Sequence, residues 1–249
     1  MQSAFRQQIL RNSLIVALDV DSLEQCVQLA ELLRGKIGAF KIGPRLLMRY
    51  GASIVEILAN DFQVPVFVDN KYLDIPNTME SAIRATFAAG ATFATVHAWA
   101  GSEALKRLAR LEADLQKIRP FKILVVTVLT SFSPETLPPG LIEQPILSHV
   151  DKLTELIFDC GLTGVVCSPH EVSSVRAIAE AKGKSSDALL ITPGVRLPGD
   201  ARGDQKRVET PYEAIRLGAS AIVVGRPIIE ASAPAFVADQ ILSSISEKI

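Results

Sequence analysis

The sequence predicts an α/β protein folded as one (β/α)8 barrel over residues 1–249, and three features of the chain carry that expectation. Short β-branched apolar runs recur eight times along the chain. Amphipathic segments lie between them, and no glycine-rich phosphate loop follows the first run.

In order, the runs are residues 14–20, 39–43, 64–71, 93–98, 123–129, 164–168, 188–192 and 221–225. They are almost continuously apolar. Strands without polar alternation are expected where both faces of a sheet are covered, as in a parallel sheet wrapped by helices. The intervening segments 22–34, 44–60, 77–89, 102–117 and 171–182 carry apolar residues at three- and four-residue spacing, the pattern of amphipathic helices. An open doubly wound sheet is the structural competitor, but the first run ends Leu18-Asp19-Val20-Asp21, with no glycine to cradle a pyrophosphate. The strict alternation therefore reads as a TIM barrel. The longest irregular segments, 130–147 and 195–209, both follow strands, so in a barrel they lie on the face where active sites form and are candidate lids.

Composition narrows the partner. With 48% hydrophobic and 21% charged residues, the chain has material for a large core and is excluded from the disordered class. A formal net charge of −1, with Lys and Arg spread along the chain, excludes the basic footprint of a nucleic-acid binder and points to a small molecule. The three cysteines, Cys26, Cys160 and Cys167, form no C-x-x-C pair, and their number is odd for a disulfide framework. The first twelve residues are polar with two arginines, and no apolar run is long enough to span a bilayer. A cytoplasmic protein without membrane attachment is expected.

Chemistry concentrates at residues 66–78, Val-Phe-Val-Asp-Asn-Lys-Tyr-Leu-Asp-Ile-Pro-Asn-Thr. Asp69 and Lys71, two apart on a strand, are expected to project to one side, with Asp74 in the turn before a helix that Pro76 helps to start. Isolated buried charges are costly, so these groups should compensate one another. Asp19 after the first strand and Lys41 on the second occupy corresponding strand ends, so all would face one mouth. Gly225-Arg226 after the eighth strand and Thr192-Pro193-Gly194-Val195-Arg196 after the seventh suit a phosphate, through backbone N–H groups and guanidinium. His97 and His170 lack further ligands at metal spacing and are read as rim hydrogen-bonding groups. Trp99 is read as packing and Cys167 as core.

The ordered segments Ala17-Leu18-Asp19, Phe40-Lys41-Ile42-Gly43, Asp69-Asn70-Lys71-Tyr72-Leu73-Asp74-Ile75-Pro76-Asn77-Thr78, Val128-Leu129-Thr130-Ser131, Thr192-Pro193-Gly194-Val195-Arg196, Gly203-Asp204-Gln205 and Val224-Gly225-Arg226 run along almost the whole chain. On these the sequence resembles the orotidine 5′-phosphate decarboxylases. The resemblance implies loss of CO2 from orotidine 5′-phosphate to give UMP, without metal or organic cofactor, in pyrimidine nucleotide synthesis. It implies that Lys71, Asp69, Asp74 and Lys41 form the catalytic group, with Lys71 protonating a carbanion-like state. Asp19 and Lys41 would contact ribose hydroxyls, Thr130 and Ser131 would read the pyrimidine, and Arg196, Gln205, Gly225 and Arg226 would grip the phosphate. The whole segment Asp69 to Thr78, including Asn70, Tyr72, Leu73, Pro76 and Asn77, is implied to border the substrate. Asp74, Ile75 and Thr78 would reach the neighbouring subunit's site in a homodimer. Asn70 departs from the family pattern, which more often has an apolar residue there. Two rival readings are a magnesium-dependent sugar-phosphate decarboxylase related to the 3-keto-gulonate 6-phosphate enzyme, and a non-catalytic nucleotide sensor on the same barrel.

Overall fold

In the computed structural model, the described residues are 13–139, 141, 144–195 and 209–246. Its strands are β1 (Leu14–Ala17), β2 (Ala39–Ile42), β3 (Val66–Tyr72), β4 (Phe93–His97), β5 (Lys122–Val126), β6 (Gly164–Val166), β7 (Leu189–Thr192) and β8 (Ala221–Val224). They pair in sequence order as a closed barrel, β8 returning to β1, and every pairing is parallel. The eight expected runs are therefore the eight staves. Several run a few residues past the ladder because their last residues leave it to build the upper loops.

Two apolar cores explain why those runs lack polar alternation. Ile15, Ala17, Ala39, Phe67, Leu124, Val126, Val166, Ile191, Ala221 and Val223 fill the barrel interior. Their neighbours Leu14, Val16, Phe40, Ile42, Val66, Val68, Ala94 and Val96 point outward into the larger core beneath the helices. Because successive strand residues alternate faces, this parity sends Lys41, Asp69 and Thr95 inward, each above an apolar residue of its own strand. Gly164 is required by close approach, since a Cβ there would overlap the carbonyl oxygen of Ile123 and the Leu124 side chain.

The helical layer comprises α1 (Leu23–Leu33), α2 (Pro44–Tyr50), α3 (Ser53–Glu56), α4 (Pro76–Ala88), α5 (Gly101–Gln116), α6 (Ile146–Asp159), α7 (Val172–Ala181), α8 (Pro211–Arg216), α9 (Arg226–Ile229) and α10 (Pro234–Ser246). Ser22 caps α1, its hydroxyl accepting the Gln25 N–H at 3.2 Å, and Cys26, Leu29, Ala30 and Leu33 form its buried stripe. One expectation needs correction. Residues 44–60 are not a single helix: α2 ends at Gly51, whose φ of 59° reverses the chain while its N–H donates to Leu47 O at 2.8 Å, and α3 runs on into a π-helical turn at Ile57–Asp61.

Both long irregular segments leave strand C-terminal ends. The first holds a 3-10 turn at Pro134–Thr136 closed by a Ser133 capping box. Most of the second, with Arg196, Gly203, Asp204 and Gln205, lies outside the described residues, although its ends Val195 and Glu209 pair in a parallel bridge. Among the described residues, no helix is long and apolar enough to cross a membrane.

Candidate active site

A cavity of about 740 Å3 opens among the C-terminal ends of the strands. Asp19, Lys41, Asp69, Lys71, Thr130, Ser131, Gly225 and Arg226 all line it, contributed by the ends of β1, β2, β3, β5 and β8. Phe67, Leu129, Val166, Ile191 and Val223 form its apolar floor and wall. A concave site with an apolar base and a few convergent charged groups is the usual form of a small-molecule site.

At its centre is an alternating row of charges. Lys71 Nζ donates to both oxygens of Asp69, at 2.9 and 2.9 Å. Lys41 Nζ lies 3.4 Å from Asp69 Oδ2 and 3.6 Å from Asp19 Oδ1, so the row reads Asp19, Lys41, Asp69, Lys71. Two carboxylates and two ammonium groups balance, which is how such groups are tolerated in a partly buried setting. Burial raises the Asp69 pKa, but the Lys41 and Lys71 charges and the hydrogen bonds from Lys71 and Thr95 outweigh it and hold the carboxyl below its ordinary value. Asp69 therefore ionises more readily than an ordinary carboxyl. The stability it contributes is present above the ordinary carboxylate range and is lost only as pH falls through the depressed value.

The path by which Lys71 reaches Asp69 differs from simple strand alternation. Pairing runs Val68 to Ala94 and then Tyr72 to Val96, so Asp69, Asn70 and Lys71 together stand opposite Thr95 alone. Within this bulge Lys71 takes φ 48°, a left-handed conformation that costs a non-glycine residue about 1–2 kcal/mol. The Asp69 and Lys71 side chains meet within this bulge. Such strain concentrates at functional sites.

The remaining residues of the segment divide into two groups. Asn70 Nδ2 donates to Tyr72 Oη at 2.9 Å, and that hydroxyl lies 3.0 Å from Thr86 Oγ1 on α4, so Asn70 and Tyr72 bond toward the helical layer and do not line the cavity. Leu73, Asp74, Ile75, Asn77 and Thr78 are exposed on the rim, with Pro76 partly buried at the first position of α4. Asp74 Oδ1 accepts the N–H of Ile75 at 2.7 Å.

On the opposite side, Pro193 and Gly194 line the cavity, and Gly194 takes φ 81°, which a side chain would resist. Gly225 packs against the end of β1: a Cβ there would stand 3.4 Å from Ala17 Cβ and 3.8 Å from Asp19 Oδ2. Two further lining residues carry charge, Arg45 and Glu230. Arg45 Nη1 donates to the backbone oxygen of Asp19 at 3.0 Å, and so steadies the loop that presents Asp19. The position of Arg45, two residues past Gly43 at the top of β2, was its only signal in the sequence.

His97, at the top of β4, accepts the Trp99 N–H on Nδ1 at 3.4 Å. Burial, and then the neighbouring Lys71 charge, push its pKa down from 6.5 to about 4. The unfolded chain takes up a proton near pH 6.5 that the folded state refuses until about 4, so stability falls as pH drops through that window. His97→Gln is expected to flatten this dependence, measured by denaturant unfolding at several pH values between the two; an unchanged slope would assign the effect elsewhere. Trp99 is half-exposed, with Nε1 donating to Thr127 O at 3.3 Å, and Cys167 is buried, whereas His170 Nδ1 lies 3.6 Å from Glu209 Oε1. Among the described residues no three His, Cys, Asp or Glu side chains cluster at metal-binding spacing.

Comparison with known proteins bears on this arrangement directly. Residues 12–241 match the model of the "Orotidine 5'-phosphate decarboxylase / HUMPS family". The chain belongs to this family. Among its relatives, the orotidine 5′-phosphate decarboxylase of Trichlorobacter lovleyi (strain ATCC BAA-1151 / DSM 17278 / SZ) is 38% identical over 236 residues, covering 94% of this chain and 95% of the relative. That of Rhodopseudomonas palustris (strain BisB5) is 39% identical over 237 residues, covering 95% and 96%. The crystal structure of orotidine 5′-phosphate decarboxylase from Lactobacillus acidophilus superposes with a TM-score of 0.78 at 32% identity, covering 94% of this chain and 98% of that one. The family match spans every cavity residue from Ala17 to Glu230, so the charged row and the Gly225-Arg226 end lie inside one family unit.

Proposed function

We propose that this chain decarboxylates orotidine 5′-phosphate to UMP and CO2 in pyrimidine nucleotide synthesis, with Lys71 as the catalytic cation and acid. The observation that carries the reading is the Lys71 ammonium, held by both oxygens of Asp69 at the mouth of a cavity closed below by apolar side chains. Breaking the bond from ring carbon to carboxylate leaves the electron pair on that carbon and releases neutral CO2. A fixed ammonium beside the carbon is worth more to the carbanion-like state than to the substrate, which is the condition for catalysis. Lys71 then transfers a proton to the carbon. Its amine regains one from solvent, to which the side chain is 39% exposed.

Asp69 fixes the ammonium and faces the substrate carboxylate. Their repulsion falls as CO2 departs, while attraction to Lys71 grows on the carbanion. Stabilisation by Lys71 ranks first, because it requires no strained ground state. Asp19 and Lys41 are proposed to contact ribose hydroxyls, Thr130 and Ser131 the pyrimidine edge, and Gly225 and Arg226 the phosphate, a reading supported by their all lining the cavity, with Arg196 and Gln205 proposed from the sequence to complete that grip.

We further propose a homodimer in which Asp74, Ile75 and Thr78 complete the partner's site. Its support is their exposure on the rim outside this subunit's own cavity, beside the apolar side chains Leu73 and Ile75, which are 57% and 67% exposed. A cytoplasmic setting accords with three buried cysteine thiols.

The family description carries a second name, so the test must separate two chemistries. Purified protein treated with chelator is expected to consume orotidine 5′-phosphate, followed by the absorbance change of the pyrimidine, and to yield stoichiometric UMP. Turnover that appears only when magnesium is restored, or binding of UMP without any turnover, would favour the sugar-phosphate or sensor reading.

A further inference from the structure

We infer that Thr95 is a positioning residue for the decarboxylation, its hydroxyl fixing the Asp69 carboxylate and the Lys71 backbone in the one arrangement that sets the ammonium. The inference rests on the catalytic reading of Lys71 given above.

Three observations converge on this hydroxyl. Thr95 Oγ1 accepts the Lys71 N–H at 2.8 Å and donates to Asp69 Oδ1 at 3.0 Å. The side chain is fully buried, pointing into the barrel between β3 and β4. It is also the lone β4 residue opposite the three-residue bulge of Asp69, Asn70 and Lys71. A strand bulged in this way loses regular pairing, and a buried N–H left without an acceptor is costly. The Thr95 hydroxyl supplies that acceptor.

The direction of the chain of bonds is fixed by chemistry. A backbone N–H can only donate and an ionised carboxylate can only accept, so the hydroxyl must take from Lys71 and give to Asp69. One oxygen thereby ties the backbone of Lys71, in its left-handed conformation, to the carboxylate that both Lys71 Nζ bonds reach. Without it the Lys71 N–H at φ 48° loses its acceptor, and Asp69 loses a donor on the same oxygen that accepts from Lys71 Nζ. Lys71 Nζ would still be present but misplaced. Misplacement on the scale of an ångström costs the chemical step far more than it costs ligand affinity.

Thr95 does not line the cavity, so its loss should separate chemistry from binding. Thr95→Val keeps the shape and removes the hydroxyl. We expect its kcat to fall by about tenfold or more while UMP affinity and KM stay within about threefold of wild type. Thr95→Ser, which restores the hydroxyl, should recover most of kcat. If the valine variant does not fold, the comparison moves to Thr95→Ser against Thr95→Ala, which both lack the methyl and differ in the hydroxyl. A valine variant at wild-type kcat, equal kcat in serine and alanine variants, or a loss carried wholly by KM would each overturn the positioning role. The wild-type assay keeps the two proposals apart: an inactive wild-type enzyme defeats the catalytic reading, whereas an active wild type with an indifferent Thr95 defeats only this inference.

Discussion

Lys71→Ala is expected to lower kcat by about 10⁴-fold or more, because in the proposed mechanism one side chain supplies both the electrostatic stabilisation and the proton. These contributions multiply when a single group provides them. The fold should survive. Asp69 loses its closest partner but retains the Lys41 ammonium at 3.4 Å and the Thr95 hydroxyl at 3.0 Å, so its carboxylate is not left buried and alone. The Lys71 N–H to Thr95 also remains, since it belongs to the backbone. UMP binding should therefore persist, because ribose, base and phosphate contacts are proposed elsewhere in the cavity. The check is single-turnover decarboxylation of the alanine variant alongside UMP titration by calorimetry. Turnover within tenfold of wild type would remove Lys71 from the mechanism; loss of both turnover and UMP binding would place it in the binding apparatus.

How much of this was legible in the sequence depends on which physical rule governs each residue. The eight strands could be read because parallel staves face apolar material on both sides, and two cores impose that composition directly. Lys41 and Asp69 could be assigned to the mouth because each interrupts an apolar run at the strand end, where a packed core would not place a charge. The bulge could not be read. Nothing in Val68-Asp69-Asn70-Lys71-Tyr72 signals that three residues will face one, since Lys is not a residue chosen for left-handed backbone, and the conformation is held by a hydroxyl on the next strand. Thr95 was hidden for the complementary reason: a β-branched threonine inside a strand satisfies strand preference on its own, whatever its hydroxyl does. The break at Gly51 was obscured because the apolar spacing continues on either side of it into α2 and α3. Asn70 bonds to Tyr72, whose hydroxyl reaches Thr86, and so serves the helical layer more than the cavity.

Arg226→Ala should produce the second large effect, and it tests how a group remote from the breaking bond can raise the rate. Arg226 lines the cavity at the start of α9, directly after the Gly225 contact with the end of β1, and is exposed. Removing a charged partner of a bound phosphate costs about 2–5 kcal/mol, and an exposed site belongs at the lower end, so kcat/KM should fall by about 10²-fold. If phosphate binding serves only to hold the nucleotide, the whole loss will appear in KM. If it also helps to assemble the site around the pyrimidine, part will appear in kcat. The unphosphorylated nucleoside orotidine distinguishes a direct contact from a general disturbance. With that substrate the phosphate is already missing, so Arg226→Ala should change kcat/KM little, and the two deletions should be far from additive. A variant equally impaired toward orotidine and its 5′-phosphate would show that Arg226 supports the barrel rim without gripping the phosphate, and the phosphate end of the site would have to be sought elsewhere along the cavity.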